Sequence, residues 1–305
     1  MSGIELPEER WADVDGPVHF REWEGTSPPT FVCVHGLGGS LLNWLAVAPR
    51  LAERGRVVAL DLAGFGKTPR DGRSASVKAN RILLSRFMRD ETEGPVVLIG
   101  NSMGGAISLL QAAFEPESVA GLVLTSPALP WGRGGRPDPV VAAAFAMYQI
   151  PGVGERFLKE RARRLGPERL VAETLALCCG DSSRVDPAVV EIIVEAADER
   201  RERADSIPAF LEAARSLLRM SRRLTFGREL MGRVSCPVLL IHGREDRLVR
   251  VRTAIAAGEA HPDWRVRIFD DVGHVAQLEA PDRWLAEVED WLETEVVPAG
   301  TPTAS

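Results

Sequence analysis

Seven short apolar runs, separated by helix-compatible stretches, constrain this 305-residue chain more than any other feature. They occupy residues 18–23, 31–34, 57–60, 96–99, 122–124, 238–241 and 266–269. The first follows Asp15-Gly16, a pair suited to a hairpin turn because both residue types tolerate a positive φ. Phe31-Val32-Cys33-Val34 is apolar throughout, as a strand covered on both faces must be, and the later runs repeat that pattern. Five of the seven read as central parallel strands. Stretches 41–54, 81–90, 103–114, 253–259 and 281–293 read as the helices between and after them. Such alternation predicts an α/β class fold, a doubly wound and mostly parallel sheet joined by right-handed crossovers.

The alternation fails between Pro127 and Ser235, where no run reads as a strand and Ala, Leu, Arg and Glu dominate. The expected organisation is one α/β core domain interrupted by a helical insertion. Residues 1–128 form the first part of the core, 129–233 the insertion, 234–296 the second part and 297–305 a disordered tail. Gly/Pro clusters at 131–139 and 227–237 read as hinges. From Leu129 to Arg233 there are 18 basic and 15 acidic residues, a balance of +3 that leaves −9 on the rest.

A hydrophobic fraction of 45% supplies a sizeable core without disulfide or metal staples. The net charge of −6 argues against nucleic acid and against a basic membrane-surface protein. Arg supplies 34 of the 37 basic residues, a skew that carries no functional reading. Cys33, Cys178, Cys179 and Cys236 lack metal-ligand spacing, and the adjacent pair is too close for an ordinary disulfide. The first ten residues are acidic and lack the apolar core of a signal peptide. No apolar run approaches the ~18–20 residues a membrane span needs. A cytoplasmic protein with reduced thiols is expected.

The chemistry enters with Gly100-Asn101-Ser102-Met103-Gly104, a match to G-x-S-x-G. This short pattern gains weight from its setting, directly after the buried run 96–99 and directly before a helical run. A nucleophile elbow requires that order, because a sharp strand-to-helix turn lifts the serine hydroxyl above the sheet edge. A serine hydroxyl needs a base to take its proton. His19 lies in the early hairpin, His35 opens a glycine loop, and His242 ends a strand. His261 and His274 alone follow an acid placed after the insertion, as the order Ser, acid, His demands. His274 lies past the end of the final strand, on the elbow's edge of the sheet, whereas His261 lies at its start. His274 is therefore the candidate base. Asp246, after the penultimate strand, is the candidate acid, with Glu245, Asp270 and Asp271 as rivals. The loop His35-Gly36-Leu37-Gly38-Gly39 follows a strand at the same edge, so the N–H groups of Leu37 and Met103 are the expected oxyanion donors. Neither G-x-G-x-x-G nor G-x-x-x-x-G-K-[ST] is present, so no nucleotide cofactor is expected, and no metal.

Together these pieces resemble the α/β-hydrolase superfamily from about Trp11 to Leu292, and the stretch 61–68 (Asp61 to Thr68) is similar as well. The resemblance implies an eight-stranded, mostly parallel sheet with a helical cap between two core strands, and it implies no catalytic role for Asp61. It assigns Ser102 as nucleophile, Asp246 as acid and His274 as base. A serine at the elbow disfavours the related haloalkane dehalogenases and epoxide hydrolases, which use Asp there. The stretch from Gly100 to Gly105 is similar to the elbow of hydrolases that cleave carbon–carbon bonds in ring-fission products. Those commonly carry Trp after the catalytic His, where this chain has Val275, and their oxyanion loop differs from 35–39. The reading is accordingly a carboxylic-ester hydrolase working through an acyl-enzyme. The alternatives are a carbon–carbon hydrolase, a cofactor-free haloperoxidase, thioesterase or lactonase, and a non-catalytic ligand receptor. The expected partner is a small, apolar acyl substrate. Gly36, Trp44, Trp131, Phe145, Tyr148 and Val275 are expected to line its pocket, with Met147 and Phe210 as further cap candidates.

Overall fold

The computed structural model describes residues 4–25, 27–129, 138–221 and 229–296. Its strands are β1 (Arg10–Asp13), β2 (Pro17–Trp23), β3 (Phe31–Val34), β4 (Val57–Leu60), β5 (Val96–Asn101), β6 (Val119–Thr125), β7 (Val238–Gly243) and β8 (Arg265–Phe269). They form one sheet in the order β1-β2-β4-β3-β5-β6-β7-β8. The β1–β2 and β2–β4 pairs are antiparallel and all later pairs are parallel. Asp15 (φ 51°) and Gly16 (φ 114°) make the hairpin between β1 and β2, as the sequence predicts.

Period-2 geometry sends alternate side chains of each central strand to opposite faces. Val32, Val34, Leu98, Leu122 and Leu240 pack on one face against α2 (Val77–Glu91) and α3 (Met103–Phe114). Phe31, Cys33, Ile99, Val123 and Leu239 pack on the other, beneath Trp284, Leu285, Val288 and Trp291. Both faces are covered, which is why these runs are apolar without alternation.

The stretch 41–54 is not one helix. It splits into a 3₁₀ turn (Leu41–Trp44) and the four-residue α1 (Ala48–Leu51). Pro49 explains the break: it lacks the N–H an uninterrupted helix needs and sits where a new helix starts. The helix expected at 81–90 begins earlier, at Val77, where the Ser76 hydroxyl accepts from Ala79 N.

Between β6 and β7 lie α4 (Pro139–Gln149), α5 (Val153–Arg164), α6 (Pro167–Cys178), α7 (Pro187–Arg201) and α8 (Ser206–Ser221). Asp138-Pro139 and Asp186-Pro187 each start a helix the same way, with the carboxylate accepting the N–H two residues on and proline at the first helical position. The expected hinge at 131–139 falls outside the described residues except for its last two, that at 227–237 is described from residue 229 on, and the tail 297–305 falls wholly outside them. Ion pairs cross the seam in both charge senses: Arg70 of the core pairs with Glu212 of the insertion at 2.7 Å, and Arg184 of the insertion pairs with Asp271 of the core at 2.9 Å. After β7 come α9 (Val251–Ala260), α10 (Ala276–Glu279) and α11 (Pro281–Glu295). Among the described residues, no helix is long and apolar enough to cross a membrane.

Candidate active site

Ser102 sits between β5 and α3 with φ 56° and ψ −115°, a conformation costing on the order of 1–3 kcal/mol for a residue with a side chain. Three backbone bonds hold it there. Ser102 N donates to Thr125 O, and Ser102 O accepts from Ala106 N and Ala128 N, each at 3.0 Å. The flanking glycines are forced by close approach. A Cβ at Gly104 would lie 2.1 Å from Val34 O, and one at Gly100 would lie 2.6 Å from Gly104 O. The Ser102 side chain makes no capping bond to the helix that follows it.

His274 follows β8 and Asp246 follows β7. His274 Nδ1 lies 2.7 Å from Asp246 Oδ2. Asp246 Oδ1 accepts from Leu248 N at 2.8 Å and Val249 N at 2.9 Å. His242 Nε2 lies 2.9 Å from Val249 O, an acceptor only, so it carries a proton; it also lies 3.3 Å from Asp246 Oδ2. Burial alone would raise the Asp246 pKa. The His274 charge and the bonds from both histidines outweigh it and hold the carboxyl well below the usual range. An ionised Asp246 requires a proton on His274 Nδ1, which leaves Nε2 with a free lone pair in the neutral ring. The rival acids are exposed: Asp270 pairs with Arg244, and Asp271 with Arg184 and Arg283. His261 stacks on Trp264 before β8, away from this edge.

The glycine loop abuts the serine, since a Cβ at Gly36 would lie 3.1 Å from Ser102 Cβ. His35 fixes the loop from below, with Nδ1 bonded to Gly36 O at 2.7 Å and Nε2 accepting from Leu62 N at 3.1 Å. Burial lowers its pKa and keeps it neutral. Asp61 accepts from Leu41 N, Lys67 N and His19 Nδ1, and so braces the neighbouring turn. Among the described residues, neither Leu37 N–H nor Met103 N–H has an acceptor within the chain.

Ser102, His274, Gly36, Leu37 and Val275 line a cavity of about 1510 Å³ beneath the inserted helices. Phe145, Tyr148 and Phe210 line it too, as an aromatic chain with centroids 5.8 and 5.4 Å apart. Trp44 corrects the expectation: Leu41, Leu42 and Asn43 of its 3₁₀ turn line the cavity, but the Trp44 side chain points the other way and is wholly buried against Trp284, centroids 6.2 Å apart. Met147 is half-buried on α4 and does not line the cavity, and Trp131 lies outside the described residues. Arg200 was not foreseen. Its guanidinium lies over the Phe65 ring, donates to Gly38 O at 2.6 Å, and lines the cavity without an ion pair among the described residues. Burial, with Arg203 nearby, pushes its pKa down to about 10. Nothing in the pattern 199–203 marks that one arginine among its neighbours.

The family profile described as alpha/beta hydrolase fold matches residues 29–281. The chain belongs to the α/β-hydrolase family. This hydrolase is 28% identical over 90% of its length to a 2-hydroxy-6-oxo-6-(2'-aminophenyl)hexa-2,4-dienoic acid hydrolase of Metapseudomonas resinovorans, covering 87% of that protein. It is 27% identical over 88% of its length to the dihydrolipoyllysine-residue acetyltransferase component of the acetoin cleaving system of Cupriavidus necator, of which it spans 65%. Among solved structures, the 2-hydroxy-6-oxo-6-phenylhexa-2,4-dienoate hydrolase of Rhodococcus sp. strain RHA1 superposes with a TM-score of 0.76 at 23% identity, covering 95% of this chain and 99% of that one.

Proposed function

We propose that this α/β-hydrolase is a serine hydrolase that cleaves a carboxylic ester through an acyl-enzyme. The observation that carries the reading is the convergence on one cavity of a strained Ser102, an Asp246-oriented His274 and the unpaired N–H of Leu37, with the unpaired N–H of Met103 next to Ser102 in the chain. Ser102 Oγ attacks the carbonyl carbon while His274 Nε2 takes its proton. The developing oxyanion accepts from Leu37 N–H and Met103 N–H; losing one such donor costs about 2.7–4 kcal/mol of transition-state stabilisation. The carbon–oxygen bond breaks, and the alcohol leaves with the proton from His274. Water then gives a proton to His274 as its oxygen attacks the acyl carbon, the bond from that carbon to Ser102 Oγ breaks, and His274 returns the proton to Ser102 as the acid is released. Helices α4–α8 act as the cap that shuts water out and selects the acyl group by shape. The aromatic chain Phe145–Tyr148–Phe210 supports an apolar acyl portion. The four cysteines are free, which suits the cytoplasmic setting proposed for it.

A second reading, carbon–carbon cleavage of a ring-fission diketone, draws on the Metapseudomonas relative and on the unpaired Arg200, a cation placed for an acidic substrate. Val275 after the catalytic histidine argues for the ester. Hydrolysis of a short p-nitrophenyl ester by the wild type and not by Ser102→Ala supports the proposal. Equal activity in both sinks the role of Ser102, and turnover of a ring-fission diketone with esters left intact selects the second reading.

A further inference from the structure

His274 is aimed only as well as its loop is fixed. Gly273 N donates to Glu279 Oε2 at 2.8 Å, His274 N donates to Cys178 O at 2.5 Å, and the Asn101 side-chain amide donates to His274 O at 3.1 Å. Two of these three bonds lead to the inserted helices. Cys178 ends α6, and Glu279, only 2% exposed, also accepts from the residues that follow α6. Its Oε2 takes Gly180 N at 3.1 Å and its Oε1 takes Asp181 N at 2.8 Å. The two backbones are in contact, since a Cβ at Gly273 would lie 2.2 Å from Cys178 O. Arg184 Nη1, beyond the same turn, lies 3.9 Å from Oε1 and donates to Asp271 O at 2.9 Å. One buried carboxyl group thus gathers three main-chain N–H groups, two from the insertion and one from the histidine loop. A buried carboxyl is costly unless its oxygens are satisfied, and here both are.

Glu279 does not line the cavity, so substrate contact does not account for it. We propose that Glu279 is a positioning residue that locks the His274 loop to the segment 178–181, so that helices α6 and α7 set the placement of the base as well as the wall of the cavity. This rests on the reading of Ser102 and His274 given above. A cap movement at that segment would carry His274 with it and couple closure to proton transfer.

Two substitutions probe the lock from its two sides. Glu279→Gln replaces one accepting oxygen with an amide that faces N–H donors. Gly180→Ala leaves the carboxyl in place but puts a methyl 3.2 Å from Glu279 Oε1 and 3.1 Å from Asp271 O, a mild push from the insertion. Displacing a catalytic group by about 1 Å costs up to about 100-fold, so Glu279→Gln is expected to lower kcat about 10- to 100-fold and Gly180→Ala by less. KM stays near wild type in both. The readout independent of turnover is the ¹H NMR resonance of the proton between His274 Nδ1 and Asp246, which shifts or broadens in both variants. Folded Glu279→Gln with wild-type kcat and resonance overturns the proposal, as does a loss confined to KM. Should Glu279→Gln fail to fold, Gly180→Ala is judged by the same criteria. Failure of the serine-hydrolase reading is distinguishable, because Ser102→Ala would then keep activity while the resonance still responds to these two variants.

Discussion

Replacing Asp246 with asparagine perturbs four bonds at once, because the carboxylate accepts from Leu248 N, Val249 N and His274 Nδ1 and lies 3.3 Å from protonated His242 Nε2. An amide supplies one oxygen, and it must choose. If that oxygen stays on Leu248 N and Val249 N, the NH₂ faces His274, the ring proton moves to Nε2, and the base can no longer take the Ser102 proton. Losses of this kind are about 10⁴ in kcat, or about 5.4 kcal/mol at 1.36 kcal/mol per decade. If the oxygen turns to His274, the two backbone donors are orphaned at about 1–3 kcal/mol each, and the loss appears as stability. Steady-state ester hydrolysis and thermal denaturation from pH 3 to pH 7 separate the branches. The folded-state pKa of Asp246 is depressed, so its contribution to stability is present above the ordinary carboxyl range near pH 4 and is lost as pH falls below it. The Tm gap between wild type and Asp246→Asn should therefore narrow as the solution is acidified. A variant with kcat within tenfold of wild type and an equal Tm at pH 7 would refute the assignment of Asp246 as the residue that orients His274.

Trp44→Ala should cost about 3–5 kcal/mol by opening a cavity against Trp284, seen as a lowered Tm. KM at low temperature should stay unchanged, since Trp44 lies in the core and not on the cavity wall. Gly104→Ala should impair folding, because the added methyl falls 2.1 Å from Val34 O between strand and helix; a soluble variant with wild-type Tm and activity would contradict the elbow geometry.

The central strands were legible because burial on both faces removes polar alternation, leaving runs such as 31–34 and 96–99 that little else produces. Ser102 was legible because its glycines answer a steric demand of the strand-to-helix turn. His274 was separable from His261 by sheet polarity alone: one lies after β8 and the other before it. Local pattern failed where a single residue overrides it, as Pro49 does in splitting 41–54, and where a short turn has no periodicity to reveal which way Trp44 points. Arg200 and Glu279 were illegible for another reason. Their surroundings arise from contacts such as Arg200 to Gly38 and Glu279 to Gly180, 162 and 99 residues apart in the chain, which only the docking of the inserted helices on the sheet creates.

The central claim is that Ser102 is an activated nucleophile served by His274 and Asp246. Peptide mapping by mass spectrometry after treatment with a fluorophosphonate tests it most directly. A single adduct on Ser102, formed by the wild type, absent in Ser102→Ala and strongly slowed in His274→Ala and Asp246→Asn, is the predicted result. An unmodified Ser102 in an enzyme that still hydrolyses esters would contradict it.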